Sequence, residues 1–346
     1  MDAPSSLIQD SANRLFAEHI TTALRVDAEA GQFPHALWNA VEEAGLTRAL
    51  LPEAAGGFGI GAAEALSLMA VAGAHAAPIP LAETMLAGWM LAQAGLDMPD
   101  GVLSIAPVRL SDRLTIDAAG RVTGTAARIP WGRDAACIVV LAQRDAENIV
   151  ALVPASAVTV TAGQNIAREP RDTLVFGGIA LAHGAAAVTA DQVHLLGAAL
   201  RSQQIAGALG RVIETTTQYA GDRIQFGRPI GKFQAIQHHL AIVAAHHAAA
   251  AAAADGAAEA VEAGLRPLPI AAAKLRTGEA AGIAAGLAHQ IHGAIGFTYE
   301  HHLHFLTKRL WSWRDEFGAE PEWAARLGRH FAAAGADALW AEITAA

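Results

Sequence analysis

Cysteine is nearly missing from this chain. Among its 346 residues only Cys137 carries a thiol, so no disulfide can close within the chain. Nothing here asks for an oxidising compartment, and Cys137 reads as a small buried hydrophobe. Charge is sparse as well: Asp, Glu, Lys and Arg make up 16% of the residues, with a formal net charge of -9. That balance argues against a general affinity for nucleic acid or for an anionic membrane surface. The opening residues, Met1-Asp2-Ala3-Pro4-Ser5-Ser6, lack the positive charge and the apolar run of a signal peptide. No later segment reads as long and apolar enough to span a bilayer, and a cytoplasmic enzyme is expected.

Aromatic residues are few, at 5%, yet 53% of the chain is hydrophobic, and much of that share is alanine. Small apolar side chains in such number suggest closely packed helices, and the length suffices for two or three compact units. From Ser5 to about Leu103 apolar residues such as Leu7, Leu15, Phe16, Ile20 and Leu24 recur at helical intervals, with an interruption at Asp27 to Pro34. Between about Val102 and Ala187 the texture changes to short β-branched runs, including Cys137-Ile138-Val139-Val140-Leu141 and Ile149-Val150-Ala151-Leu152-Val153, divided by turn residues. Helical spacing then returns in long segments near 190 to 221, 233 to 264, 269 to 293 and 301 to 315. The expectation is an α+β, mainly α chain: an N-terminal helical domain over 1–103, a middle antiparallel β domain over 104–187, and a C-terminal four-helix bundle over 188–346.

The stretch Asp222-Arg223-Ile224-Gln225-Phe226-Gly227-Arg228-Pro229-Ile230-Gly231-Lys232-Phe233-Gln234-Ala235-Ile236-Gln237 breaks two helical runs. Such a break frees backbone N–H groups at the start of the next helix, arginine offers a planar fork for phosphate, and glutamines donate and accept at a polar ring edge. It reads as an anion-binding turn or as an ordinary solvated loop. A second stretch, Gln290-Ile291-His292-Gly293-Ala294-Ile295-Gly296-Phe297-Thr298-Tyr299-Glu300, ends an apolar helix with small residues that let a backbone approach a ligand. The glycines at 56 to 61 follow no strand and so make a poor nucleotide loop.

The run Arg-x-Gln-Phe-Gly-x-Pro-Ile followed by Phe-Gln-x-x-Gln resembles the signature of the acyl-CoA dehydrogenase family. The second stretch is similar to that family's Gln-x-x-Gly-Gly-x-Gly-Phe-x-x-Glu, with Ala294 in place of the second glycine. Ala44-Gly45-Leu46, Leu51-Pro52-Glu53 and Gly56-Gly57-Phe58-Gly59 resemble its first domain, and Gly124, Ile129, Pro130 and Trp131 a strand and turn of its β domain. The resemblance implies FAD as cofactor and an acyl-CoA substrate. It implies that Arg223 pairs with the pyrophosphate, that Gln225, Phe226 and Gln234 line the same site, and that Gln290 and Gly293 meet the ADP portion across a subunit interface. Trp131 is then expected near the isoalloxazine ring, and the assembly is a homo-oligomer or a heterotetramer with a second subunit of the family.

The family's reaction needs a carboxylate to take the α-proton while the flavin accepts hydride from the β-carbon. The usual C-terminal Glu-Gly-Thr is absent, and the alternative position in the preceding helix falls near Gly197. Glu316 is the nearest carboxylate, one or two residues out of register, and it reads also as a solvated charge at a helix end. These departures resemble the shorter partner subunits of heteromeric acyl-CoA dehydrogenases, so a catalytically silent partner stands beside a dehydrogenase proper, and a flavin oxidase or monooxygenase beside both. His238, His239, His246, His247, His301, His302 and His304 have no carboxylate or cysteine at metal spacing, and no metal site is expected.

Overall fold

The early apolar periodicity corresponds to α1 (Leu7–His19), α2 (Thr22–Glu29), α3 (His35–Glu43), α4 (Ala62–Ala74) and α5 (Leu81–Gln93) in the computed structural model, which describes residues 7–344. The Thr21 hydroxyl caps α2 by accepting from the Leu24 amide at 3.1 Å, and Gly31, at φ 91°, turns the chain out of that helix. The glycines at 56 to 61 serve packing: Gly56 leaves a short turn at φ 84°, and a Cβ on Gly57 would stand 1.8 Å from the Leu51 carbonyl.

The β-branched region forms β1 (Leu103–Ala106), β2 (Leu114–Ile116), β3 (Val122–Pro130), β4 (Cys137–Arg144), β5 (Glu147–Pro154), β6 (Val158–Thr161), β7 (Arg171–Phe176) and β8 (Ala182–Ala185). They join one sheet in the order β6-β7-β3-β2-β4-β5-β8, with β1 on β4. Pairing is predominantly antiparallel as expected, but β1 and β2 both lie parallel to β4. The register follows from nonlocal order, which local periodicity does not encode. Residues 137–142 of β4 are buried without alternation, as a central strand covered on both faces requires. The Thr84 hydroxyl fixes α5 to the sheet, donating to the Leu103 carbonyl at 2.9 Å and accepting from its amide at 3.2 Å.

The last part comprises α6 (Ala190–Asp222), the hairpin β9 (Ile224–Gln225) and β10 (Arg228–Pro229), α7 (Gln234–Glu262), α8 (Pro267–His292) and α9 (Leu303–Trp313). Two further helices, α10 (Glu320–Ala334) and α11 (Leu339–Thr344), extend the expected four.

Two compact units result, one comprising the chain through Ala65 with Pro78–Gly197, the other Leu66–Ala77 with the chain from Ala198 onward. In the second, alanines 280, 281, 284, 285 and 288 of α8 pack with Leu209, Val212, Val243, Phe305, Leu310 and Trp313. Backbones of α4 and α6 nearly touch there. A Cβ on Gly207 would lie 1.8 Å from the Ala70 carbonyl, and one on Gly73 2.0 Å from that of Gln204. The sequence expectation that no segment could span a bilayer needs correction: α7, with 29 residues and a window hydropathy of 1.2, has the length and composition to do so. Its hydropathy comes from a run of alanines, each contributing little, so the run does not look like a lipid-facing leucine stretch.

Candidate functional site

α6 ends at Asp222, and the Arg223 amide still donates to the Tyr219 carbonyl at 2.9 Å. The chain then folds into the β9–β10 hairpin, whose two-residue loop is Phe226 at φ 53° and Gly227 at φ 77°. Two consecutive positive φ values are what the right-handed twist of a tight hairpin demands, and glycine meets that demand without strain. A phenylalanine does not. Its ring is 93% exposed, with Phe233 edge-on at 6.1 Å. The Arg228 guanidinium lies 4.3 Å above the Phe233 ring, stiffening the base of the hairpin. α7 then begins at Gln234 with no side-chain cap. Gln237 is used internally, donating to the Gly231 carbonyl at 3.0 Å. Arg223, Gln225 and Gln234 are exposed, and their side chains make no hydrogen bond among the described residues.

The second stretch closes α8. Gln290 is exposed, and Gly293 turns away at φ 65° and ψ -146°, with nothing within 4 Å of a would-be Cβ. Ile283, Gly286, Gln290 and Gly293 are all exposed and follow one stripe of α8. The two stretches meet inside the second unit through Tyr219, whose ring stacks on His292 at 4.3 Å and 19°. Its hydroxyl donates to the His292 carbonyl at 3.4 Å. Behind them, His289 lies between Phe297 at 3.9 Å and Trp311 at 5.5 Å, and Gly296 leaves room for it: a Cβ there would be 3.1 Å from its Nδ1. Burial pushes the His289 and His292 imidazoles down to about 4, with neighbouring imidazoles adding to the effect.

The donor set suits the ADP half of a dinucleotide: one guanidinium, three amide side chains, an uncapped helix start and an open glycine turn whose bare backbone a ligand can approach. Trp131 belongs to the other unit. It is 5% exposed, held at φ 53° by its amide's bond to the Pro170 carbonyl at 3.0 Å, with its ring edge-on to Phe33 at 5.8 Å.

Glu316 sits in the turn between α9 and α10. Arg201, 2% exposed, sends both Nε and Nη2 to Glu316 Oε2 at 2.8 Å. Lys274, 1% exposed, donates from Nζ to the carbonyls of Arg314 at 2.6 Å and Gly318 at 2.8 Å. Trp323 Nε1 donates to those of Phe317 and Gly318. Side chains from α6, α8 and α10 thus immobilise the turn, and burial pushes the Lys274 amine down to about 7. Arg201, Lys274 and Tyr219 carry no motif signal in the sequence. Tyr219 does stand one helical turn before Arg223, a spacing that links it to the first stretch.

Family models agree with this layout. One for the acyl-CoA dehydrogenase N-terminal domain matches residues 4–98, and one for the acyl-CoA dehydrogenase C-terminal domain matches residues 195–313. The acyl-CoA dehydrogenase IpdE2 of Mycobacterium tuberculosis is 29% identical over 306 residues, covering 88% of this chain and 89% of that one. A variant of the steroid ACAD Tcur3481-Tcur3483 superposes with a TM-score of 0.84 at 25% identity, over 98% of both chains. The ChsE4-ChsE5 complex from Mycobacterium tuberculosis gives 0.84 at 24% identity, over 97% of this chain and 100% of that one. With both terminal domains matched in order around the sheet, and the fold shared from end to end, the chain belongs to the acyl-CoA dehydrogenase family.

Proposed function

We propose that this chain is one subunit of a FAD-dependent acyl-CoA dehydrogenase, supplying the ADP-side half of a flavin site that a second subunit completes, and having no base of its own. One observation carries the reading. The hairpin holds Phe226 in a strained conformation at 93% exposure, beside an Arg223 and a Gln225 that find no partner in their own chain among the described residues. Strain of about 1–3 kcal/mol persists where a function needs the geometry, and a side chain presented outward in this way serves a site outside its own fold.

FAD, when bound, would supply the acceptor for the hydride leaving the substrate's β-carbon. Arg223 would hold the pyrophosphate, Gln225, Gln234 and Gln290 the polar edges, Phe226 a flat face, and Gly293 the close backbone approach. Glu316 is held by Arg201 and so is poorly placed to accept a proton, while Gly197 has no side chain to do so. The base is therefore assigned to the partner subunit. The substrate class is an acyl-CoA thioester, and the likeness to a steroid ACAD makes ring-bearing acyl groups the first to try.

The test is to purify the chain alone and with a co-expressed second subunit of the family, then to measure flavin per chain and its bleaching by acyl-CoA. A colourless chain that gains FAD in the complex supports the reading. A chain that is yellow alone and bleaches with acyl-CoA overturns it in favour of a self-sufficient homo-oligomer.

A further inference from the structure

We propose that Tyr219 and His292 form a clasp that fixes the spacing between the two cofactor-facing stretches, making both of them positioning residues for cofactor capture; this rests on the flavin reading above. The pair are 73 residues apart in sequence, yet each occupies the last turn of its helix directly before the functional tip. On α6, Arg223 follows Tyr219 by one hydrogen-bonded turn. On α8, Gly293 is the next residue after His292. A rigid ring stack at 4.3 Å therefore sits at the root of both tips, and the distance from the Arg223 fork to the open Gly293 turn is set where the rings meet. Aligning a cation and a backbone cradle on one ligand before it arrives is what preorganisation of a binding site consists of.

The clasp works through a neutral ring. His292 Nδ1 lies 2.8 Å from the Ala288 carbonyl, which can only accept, so Nδ1 carries the proton. Nε2 is buried with no hydrogen-bond partner among the described residues. The groups that face the ring are Tyr219 from α6, His301 edge-on at 4.5 Å from the loop before α9, and His289 on its own helix, with His304 of α9 beyond His289. His301 is itself fixed as an acceptor at Nδ1, which receives the Leu303 amide at 3.2 Å. No carboxylate is among them. A second proton on His292 would place a charge against rings with nothing to receive it, so the clasp is closed at neutral pH and loosens as the pH falls. Because burial pushes the His292 imidazole down from 6.5 to about 4, opening the clasp is expected to become easier by about thirtyfold between pH 7.5 and pH 5.0.

Hydrogen exchange of the full chain, corrected for intrinsic rates, tests the clasp directly, with FAD retention by the co-purified complex as the second readout. Tyr219→Leu is expected to speed exchange in 223–233 and 293–297 together by about tenfold, leaving 66–77 unchanged, and to weaken FAD retention by a similar factor. His292→Phe keeps a flat ring and removes the second proton, so it should retain protection and FAD at pH 7.5 and lose the acid loosening. The clasp is overturned if Tyr219→Leu loosens one stretch without the other, or neither, or if His292→Phe keeps the full acid response. Joint loosening with no flavin in any complex, wild type included, sinks the cofactor reading and with it the clasp's role in capture; joint loosening with lost flavin upholds both.

Discussion

Glu316 and Arg201 meet at 2.8 Å in a largely buried setting, and the chemistry of that pair decides what each substitution does. Removing Arg201 strands a carboxylate and opens a void among side chains that hold the α9–α10 turn, so Arg201→Ala should lower stability by about 3 kcal/mol, read from the denaturant midpoint. Glu316→Gln retains an acceptor for the guanidinium and should cost only about 1 kcal/mol. In the assembled enzyme Glu316→Gln should leave turnover unchanged, whereas loss of a true base lowers it by about a hundredfold or more. A large fall in turnover with the fold intact would restore Glu316 as the base. Lys274 gives a second handle on the same turn. Its folded-state pKa lies near 7, below the ordinary lysine value, so the unfolded chain binds the extra proton between about 7 and 10.5. Stability should therefore rise with pH across the lower part of that window, and Lys274→Met should flatten the rise in melting temperature.

At the level of whole elements, helix positions were legible because long 3.6-residue periods and clear breaks specify them locally. α6, α7, α8 and α9 begin and end within about two residues of the segments near 190 to 221, 233 to 264, 269 to 293 and 301 to 315 that apolar spacing marks. The parallel placement of β1 and β2 against β4 was not legible, since nothing in Leu103-Ser104-Ile105-Ala106 says which strand it joins. Nor was the α4–α6 crossing, where Gly73 and Gly207 look like weak points in helical runs until the partner backbone is seen. Gly207→Ala should therefore destabilise by about 3 kcal/mol despite alanine's better helix propensity. Gly286→Ala, with nothing within 4 Å, should be neutral or slightly stabilising in the isolated chain. The end of α8 carries its own pH signature. His289 and His292 both titrate near 4 when folded and near 6.5 when unfolded, so the unfolded chain takes up protons between those values. Their contribution is complete above about pH 6.5 and is lost as the pH falls toward 4, and the thermal midpoint should drop over that range, less steeply in His289→Phe. An acid limb unaltered by His289→Phe would mean that other groups set it.

Across the whole molecule, the feature that composition announces first is the one the isolated chain leaves unsatisfied. From Gln234 to Ala254, α7 carries no Asp, Glu, Lys or Arg, and Ala241, Ile242, Ala245 and Ala249 are exposed. The same helix begins at the hairpin that presents Phe226, so an assembly that brings a second subunit to Arg223 and Phe226 also has an uncharged helical face beside that contact. Solvent-facing alanines tolerate a carboxylate within about 0.5 kcal/mol, and a carboxylate there adds solubility. A carboxylate buried against another subunit without a partner costs several kcal/mol and breaks the contact. Ala245→Glu separates these cases, because the single chain should keep its melting temperature whichever holds. If α7 is covered in the working enzyme, the variant should run as a smaller species in light scattering and retain less FAD at the same protein concentration. If it assembles and holds flavin as the wild type does, the face is open to water, and any second subunit that meets Phe226 under the proposed function would approach from the hairpin side alone.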